Sequence, residues 1–319
     1  MLVLFYILLP ASAPLRDKKY TIYFTYLKMS DSTSKILLQP GTLWNRVQTT
    51  TEKALASGAL LSIPTKCEII EQDGIKFLVR VLSNLVQKDE STKQQKQKKD
   101  FNPFLPYEQD LWVADISQTH ICILNKFNVV DNHLLIITRE FEQQDSLLTP
   151  QDFTAMWACL ADIDGLVFYN GGKIAGASQK HKHLQIIPLP LNNTGVKLPI
   201  QPLLTSAKFS NSIGIIPGFP FRHAFIHLHP DSENPGIITW EHYHKLLQAT
   251  QMKNGINYNL LITREWMLII PRSHECFETI SINSLGFAGT FLVRNTQQLQ
   301  RIREYQPINI LKNVAIALS

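Results

Sequence analysis

A chain of 319 residues, 45% of them hydrophobic and 18% charged, is long enough for two modest domains and too apolar to be globally disordered. Its formal charge of +5 is compatible with an anionic ligand and too mild to demand nucleic acid. Cys67, Cys122, Cys159 and Cys276 are scattered without paired metal spacing, which reads as reduced, buried thiols in a cytoplasmic protein.

Met1 to Leu9 is continuously apolar, far short of the ~20 residues that span a bilayer, so no membrane span is expected. Ala11-Ser12-Ala13 imitates a signal-peptidase site, yet Arg16, Lys18 and Lys19 follow the apolar run, the wrong polarity for a secretory signal. Met29 precedes a polar start, so residues 1–28 read as an upstream extension, with a true signal as the alternative. Leu43, Trp44, Val47 and Leu55 recur at near-helical spacing before a stop at Gly58. Strands follow at 67–71 and 76–82, then a polar, lysine-rich stretch from Gln87 to Asp100 that reads as a solvated loop.

Strands at 119–125 and 132–138 lead to a helix with Thr149 as N-cap, Pro150 at its first position, Phe153, Met156, Trp157 and Leu160 on its apolar face, and Gly165 as its stop. Strand 166–170 enters a loop of small residues, Gly171 to Gln179, and strand 181–187 follows. Pro188, Pro190, Pro199 and Pro202 with Asn192-Asn193 mark a linker or long crossing connection. The layout then partly recurs. A helix capped by Thr239, carrying Tyr243, Leu246 and Leu247 and ending near Gly255, precedes Tyr258-Asn259, and the next strand pair ends Ile269-Ile270-Pro271. The first copy has Tyr169-Asn170 and then Ile186-Ile187-Pro188, so the second reads as a degenerate repeat of one α+β unit. The expected division is residues 29–195 for the half that carries the chemistry and 196–319 for the half that completes its pocket.

The chemistry-bearing segment is His181-Lys182-His183-Leu184-Gln185 behind the Gly/Ala/Ser loop. On a strand His181, His183, Gln185 and Ile187 share one face, and Lys182, Leu184 and Ile186 the other. An imidazole is largely unprotonated near neutral pH, and a partner on one ring nitrogen decides which nitrogen can attack phosphorus. Glycines let backbone N–H groups approach phosphate oxygens, and Ser178 and Gln179 can add donors. A second pair, His227-Leu228-His229, lacks both the loop and the glutamine and reads as a core or rim strand; no Asp, Glu or Cys stands near it at ligand spacing. His242 and His244 fall on different helix faces and read as surface residues.

Together with Asn102-Pro103-Phe104-Leu105-Pro106-Tyr107-Glu108, Leu124-Asn125-Lys126-Phe127, His133 to Glu140, Tyr258 to Trp266 and Asn283 to Gly289, this segment resembles the diadenosine tetraphosphate phosphorylases, or ATP adenylyltransferases. These belong to the nucleotidyl-transfer branch of the histidine triad superfamily, where His-x-His-x-Gln stands in place of the hydrolases' third histidine. The resemblance runs from about Lys35 to Leu311 and implies a fold of class α+β: a histidine-triad-like antiparallel sheet with helices, in two related halves, the second degenerate. It implies reversible phosphorolysis of the dinucleotide to ATP and ADP, with His183 as nucleophile and His181 supporting it. The nucleotide would be held by Lys88, Asn125, Lys126, Asn170, Gly176, Ala177, Ser178, Gln179, Gln185, Asn283, Ser284, Leu285, Thr290 and Arg294. Some relatives have Met at the Thr290 position and Lys at the Arg294 position. On residue type alone, Asn283 to Gly289 would be a buried small-residue turn and Asn125-Lys126 a strand-end turn with an exposed lysine.

Gln185, a neutral amide, can bind a phosphoryl oxygen but cannot act as a general acid, so such a site favours leaving groups that depart as phosphates. No organic cofactor and no protein metal site are expected; Mg2+ would come with the polyphosphate. The expected partners are small nucleotides and phosphate, with no nucleic acid, and the protein as monomer or homodimer. A hydrolase using water, or a non-catalytic nucleotide-binding protein, remains the alternative.

Overall fold

The computed structural model describes residues 35–82, 102–191, 196–252, 255 and 257–318. The extension read at residues 1–28, and Lys88, lie outside them. The first helix, α1 (Leu43–Ser57), ends where Gly58 takes a left-handed φ of 75°, as expected, but Leu55 points to solvent and Ala54 is buried in its stead. The two anticipated strands, β1 (Thr65–Gln72) and β2 (Ile75–Leu82), pair antiparallel as a hairpin.

A ten-stranded antiparallel sheet is the centre of the molecule. Its first five strands are β3 (Trp112–Asp115), β4 (His120–Leu124), β5 (Leu134–Thr138), β6 (Gly165–Gly171) and β7 (His183–Pro188). The second five are β8 (Lys208–Ser210), β9 (Ile213–Ile215), β10 (Ala224–His227), β11 (Tyr258–Ile262) and β12 (Trp266–Pro271). The sheet order, β3-β4-β5-β7-β6 and then β11-β12-β10-β9-β8, reads the same connectivity outward from a central seam between β6 and β11. Asn170 faces Asn259 across that seam, so the two Tyr-Asn pairs that signalled a repeat meet at its axis. Helices α2 (Pro150–Leu160) and α4 (Pro235–Ala249) are likewise equivalent and pack together, with α3 (Gln201–Leu204) in the connection between the halves. The helices approach so closely that a Cβ on Gly236 would lie 2.8 Å from Thr154 Cα.

Strands buried on both faces read as continuous apolar runs, and their alternation divides the core. Val167, Tyr169, Leu184, Ile186, Leu260, Ile262, Met267 and Ile269 face α1, α2 and α4. Leu166, Phe168, Ile187, Leu261, Leu268 and Ile270 face the other way, against the small sheet β1-β2-β15, where β15 (Thr290–Val293) runs parallel to β2 and follows the short hairpin of β13 (Cys276–Phe277) and β14 (Ile280–Ser281) in the chain. Two C-terminal helices, α6 (Thr296–Tyr305) and α7 (Pro307–Val314), complete this cover. A separate cluster, Phe104 on Ile121, Ile123, Leu135 and Ile137, covers the β4–β5 side of the same face. The two covers meet over β7, which lies between β5 and β6 and carries His183 and Gln185.

Four expectations need correction. Gly165 opens β6 instead of stopping α2, which ends at Leu160. Thr239 is inside α4, where its buried hydroxyl accepts a 2.7 Å hydrogen bond from Trp157 Nε1; Asn234 holds the N-cap position without a side-chain capping bond, Pro235 follows it, and Thr250, well before Gly255, closes the helix. Cys67 and Cys276 are exposed, and only Cys122 and Cys159 are buried; all four are free. His242 and His244 are half-buried, not on the surface, with His244 against Trp240 and Tyr243. His227 is exposed beside Phe209 at the rim, as the strand reading implied.

Candidate active site

The strand expected from residue 181 begins at His183; His181 makes only an isolated bridge to Gln143, because the chain bends where β6 and β7 part. Both imidazoles nevertheless lie against one ring, Phe104, at centroid distances of 5.8 and 5.1 Å. His183 is 5% exposed, and its Nδ1 donates a 2.8 Å hydrogen bond to the His181 carbonyl. A carbonyl only accepts, so Nδ1 carries the proton and Nε2 carries the lone pair. Burial lowers the His183 pKa to about 4, against the hydrogen bond to His181 that raises it. The ring is therefore neutral near pH 7, with a lone pair on Nε2 that is chemically able to attack phosphorus.

His181 is held in the opposite tautomer. Its Nε2 donates to the Thr138 carbonyl at 2.9 Å, and its Nδ1 accepts from Asn102 Nδ2 at 3.0 Å. Asn102 cannot flip, because its Oδ1 accepts from the Phe104 N–H. A parallel chain orients Gln185: Asn125 Nδ2 donates to His133 Nδ1 at 3.1 Å, and His133 Nε2 donates to Gln185 Oε1 at 3.0 Å. The amide oxygen is thus committed, and the nitrogen is the end that can donate to a ligand. Burial lowers the His133 pKa to about 4, despite the hydrogen bond to Gln185. His133 stood in a quoted motif but had no role in the sequence reading; its partner sits 52 residues away.

Gln144 was also missed. Its buried side chain fills the gap where the β6–β7 ladder opens, accepting from His183 N–H at 2.8 Å and donating to the carbonyls of His183 and Asn170 at 3.2 and 2.9 Å. One glutamine so takes the place of a strand peptide and pins the backbone of His183. Gln144→Ala is expected to lower kcat about 10- to 100-fold, since a displacement near 1 Å can cost that much. Stopped-flow turnover with circular dichroism as a folding control measures it.

Behind the strand, Lys182 is fully buried, its Nζ 2.6 Å from Asp152 Oδ2 and 2.9 Å from Glu142 Oε2. Asp152 also receives His120 Nε2 at 3.0 Å and closes the capping box with Thr149 at the start of α2. Desolvation pushes this carboxyl up, but His120 and Lys182 outweigh it and bring its pKa down to about 2.

The small-residue loop is built against the second half. Gly176 has φ 89°, and a Cβ there would lie 2.8 Å from the Ile282 carbonyl and 2.9 Å from Asn283 Cα, so only glycine fits. The N–H groups of Gly176 and Ala177 turn back to Lys173 and Gly172, whereas those of Ser178 and Gln179 make no backbone hydrogen bond among the described residues. Ser178 is exposed and Gln179 partly so. Asn283 caps the short helix α5 (Ser284–Phe287), accepting from Leu285 N–H at 3.0 Å. Asn170 Oδ1 accepts from Asn259 Nδ2 and from both the N–H and the hydroxyl of Ser284. Lys126 is paired with Glu108, Thr290 has a buried hydroxyl with no partner among the described residues, and Arg294 is exposed beyond β15. The fold thus joins Asn170, Gly176, Asn283, Ser284 and Leu285 in one assembly, and Asn125 and Gln185 with His133 in a second. Neither assembly contains Thr290 or Arg294.

Among the described residues no set of three or more His, Cys, Asp or Glu gathers as metal ligands, and no helix is long and apolar enough to cross a membrane.

Residues 33–206 match the family model described as Ap4A phosphorylase N-terminal domain, and residues 217–317 that of the ATP adenylyltransferase C-terminal domain. The chain belongs to the Ap4A phosphorylase family. It is 28% identical to diadenosine 5',5'''-P1,P4-tetraphosphate phosphorylase 2 of Saccharomyces cerevisiae, over 73% of this chain and 81% of that protein. It is 30% identical to Protein APA1 of the same yeast, over 57% of this chain and 64% of that protein. The fold superposes on the crystal structure of yeast Ap4A phosphorylase Apa2 with a TM-score of 0.75 and 22% identity, covering 89% of this chain and all of that one. For the Apa2 complex with AMP the score is 0.73 and the identity 25%, with the same coverage of this chain.

The two neutral imidazoles carry a pH consequence for this family member. His183 and His133 bind fewer protons folded than unfolded between pH about 4 and the ordinary imidazole value of about 6.5. Stability is therefore complete above 6.5 and falls as pH drops toward 4, by on the order of 3 kcal/mol per imidazole when the fall is complete. Urea unfolding of wild type and His133→Gln across this range is expected to show a shallower acid slope in the variant.

Proposed function

We propose that the chain is a nucleotidyltransferase that phosphorolyses diadenosine 5',5'''-P1,P4-tetraphosphate (Ap4A) to ATP and ADP. The observation that carries this is the tautomer of His183: Nδ1–H is tied to the His181 carbonyl, so Nε2 is free to attack. Attack on an α-phosphorus forms a P–N bond and breaks the bond to the bridging oxygen, which leaves with ATP. An oxygen of inorganic phosphate then attacks the same phosphorus, the P–N bond breaks and ADP departs. Dividing one displacement into two is what a covalent nucleophile contributes. ATP leaves as a phosphate anion needing no proton, which suits a neutral amide at position 185. The oriented nitrogen of Gln185 and the loop N–H groups at 178 and 179 supply donors where charge develops. Mg2+ would arrive with the polyphosphate, and the free thiols accord with a reducing, cytoplasmic compartment.

The test uses the full chain with Ap4A labelled at the α-phosphate, with and without inorganic phosphate. Labelled ADP formed only in the presence of phosphate is the expected result. Breakdown to AMP and ATP at a rate independent of phosphate would make the protein a hydrolase, and binding of Ap4A with no labelled ADP or AMP formed would make it a non-catalytic binder.

A further inference from the structure

Arg272 is 3% exposed and sits one residue beyond β12, on the half of the molecule that lacks the catalytic histidines. No carboxylate lies within ion-pair distance of it among the described residues, an unusual condition for an interior cation. Its fork is instead saturated by neutral acceptors. Nε donates to the Val314 carbonyl at 3.1 Å and Nη2 to the carbonyls of His274 and Glu275 at 2.7 and 3.3 Å. Nη1 donates to Asn259 Oδ1 and to the carbonyls of Ile282 and Ala175 at 2.9 and 3.4 Å. Its Cζ lies over the Phe287 ring, 5.3 Å from the ring centre.

The three acceptors of Nη1 have one feature in common. Ala175 ends the short turn before Gly176, Ile282 precedes Asn283, and Asn259 passes the connection on, donating to Asn170 Oδ1 at 2.9 Å, to Ser284 Oγ at 2.9 Å and to the Ala175 carbonyl at 2.8 Å. Arg272 and Asn259 therefore tie together the phosphate loop of one half, the Asn283–Leu285 segment of the other and the asparagine at the seam. A planar fork with five donors can hold several carbonyls in fixed mutual geometry, which an ammonium on a flexible stem cannot. Burial lowers the guanidinium pKa to about 10, against the smaller effects of Cys276 and Glu275, so it remains a cation at neutral pH.

We propose that Arg272 is a positioning residue of the nucleotide site, whose guanidinium, acting with Asn259, sets the spacing between the 176–179 loop and the Asn283–Leu285 segment. The inference rests on the reading of this pocket as a nucleotide site. Because it arranges groups that hold the nucleotide in ground and transition states alike, its loss is expected in binding more than in turnover.

The experiment compares wild type, Arg272→Lys and Asn259→Asp by calorimetric AMP binding and by kcat and KM for Ap4A, with thermal melting alongside. Arg272→Lys keeps the charge and loses the fork; the expected result is a Kd for AMP and a KM raised about tenfold or more, with kcat within about threefold. Asn259→Asp keeps an acceptor for Arg272, and adds a carboxylate that pairs with it, but removes the donor to Asn170 and Ala175. It is expected to weaken AMP binding comparably while remaining folded, which covers the case where Arg272→Lys does not fold. AMP affinity within about twofold of wild type in a folded Arg272→Lys or Asn259→Asp protein overturns the proposal and leaves phosphorolysis standing. Weakened AMP binding in the variants supports it even where Ap4A is not turned over by wild type, a result that would overturn the phosphorolysis reading alone.

Discussion

A His183→Ala protein is expected to lose at least about a thousandfold in kcat for Ap4A phosphorolysis, because no other group can take the covalent role. His181 cannot substitute. Its Nε2 is bound to Thr138 and its Nδ1 to Asn102, so neither nitrogen presents a lone pair to a ligand. The measurement is rapid quench with α-labelled Ap4A. Wild type should show acid-labile label on protein within one turnover and the variant none, while AMP binding by calorimetry is largely kept. Labelled protein from the variant, or an active wild type with no labelled intermediate, would remove His183 from the mechanism. The pH arm follows from its environment: with the His183 pKa lowered to about 4, chiefly by burial, the attacking form persists well below pH 6. A fall in single-turnover rate centred near pH 6.5 would contradict that.

Asp152→Ala is expected to cost about 3 to 5 kcal/mol of stability, the range for breaking one partner out of a buried ion pair. The change leaves Lys182 fully buried with only Glu142, which is half-exposed, and removes the reciprocal cap with Thr149 at the start of α2. Lys182→Met should recover a substantial part of that loss when combined with Asp152→Ala, since the isolated cation is then gone. A double-mutant cycle by urea unfolding reads the coupling, and losses that simply add would deny it. The activity of folded Asp152→Ala should fall too. Lys182 lies between the two histidines in the chain, and its side chain anchors that peptide segment from the reverse face of the sheet.

Local patterns account well for some elements and poorly for others. The helix from Pro150 was legible because Thr149, Pro150 and Asp152 form a cap that depends on four adjacent residues, and the structure shows that capping box complete. The helix at 235–249 was misplaced at its start because Thr239, a good cap by type, is used as an acceptor for Trp157 of the neighbouring helix, which only packing reveals. β8 and β9 went unread: each has three residues, too few for a periodic signal. β15 was read as part of a nucleotide-holding segment, and its pairing with β2, more than 200 residues away, has no local trace. Gln144 and Arg272 stayed invisible for the same reason: a glutamine in a polar loop and an arginine after a strand are ordinary until their partners fold against them.

The sequence by itself determined which groups can do chemistry: the His-x-His-x-Gln spacing, the glycines that a close turn requires and the Tyr-Asn repeat are properties of neighbouring residues and the strand period. The tertiary structure alone decided which nitrogen of His183 is free, which end of Gln185 donates and how the 171–179 loop is held. Those depend on hydrogen bonds from His181, His133, Gln144 and Arg272, set by the crossing of the halves at the β6–β11 seam and by the low-dielectric interior that keeps two imidazoles neutral.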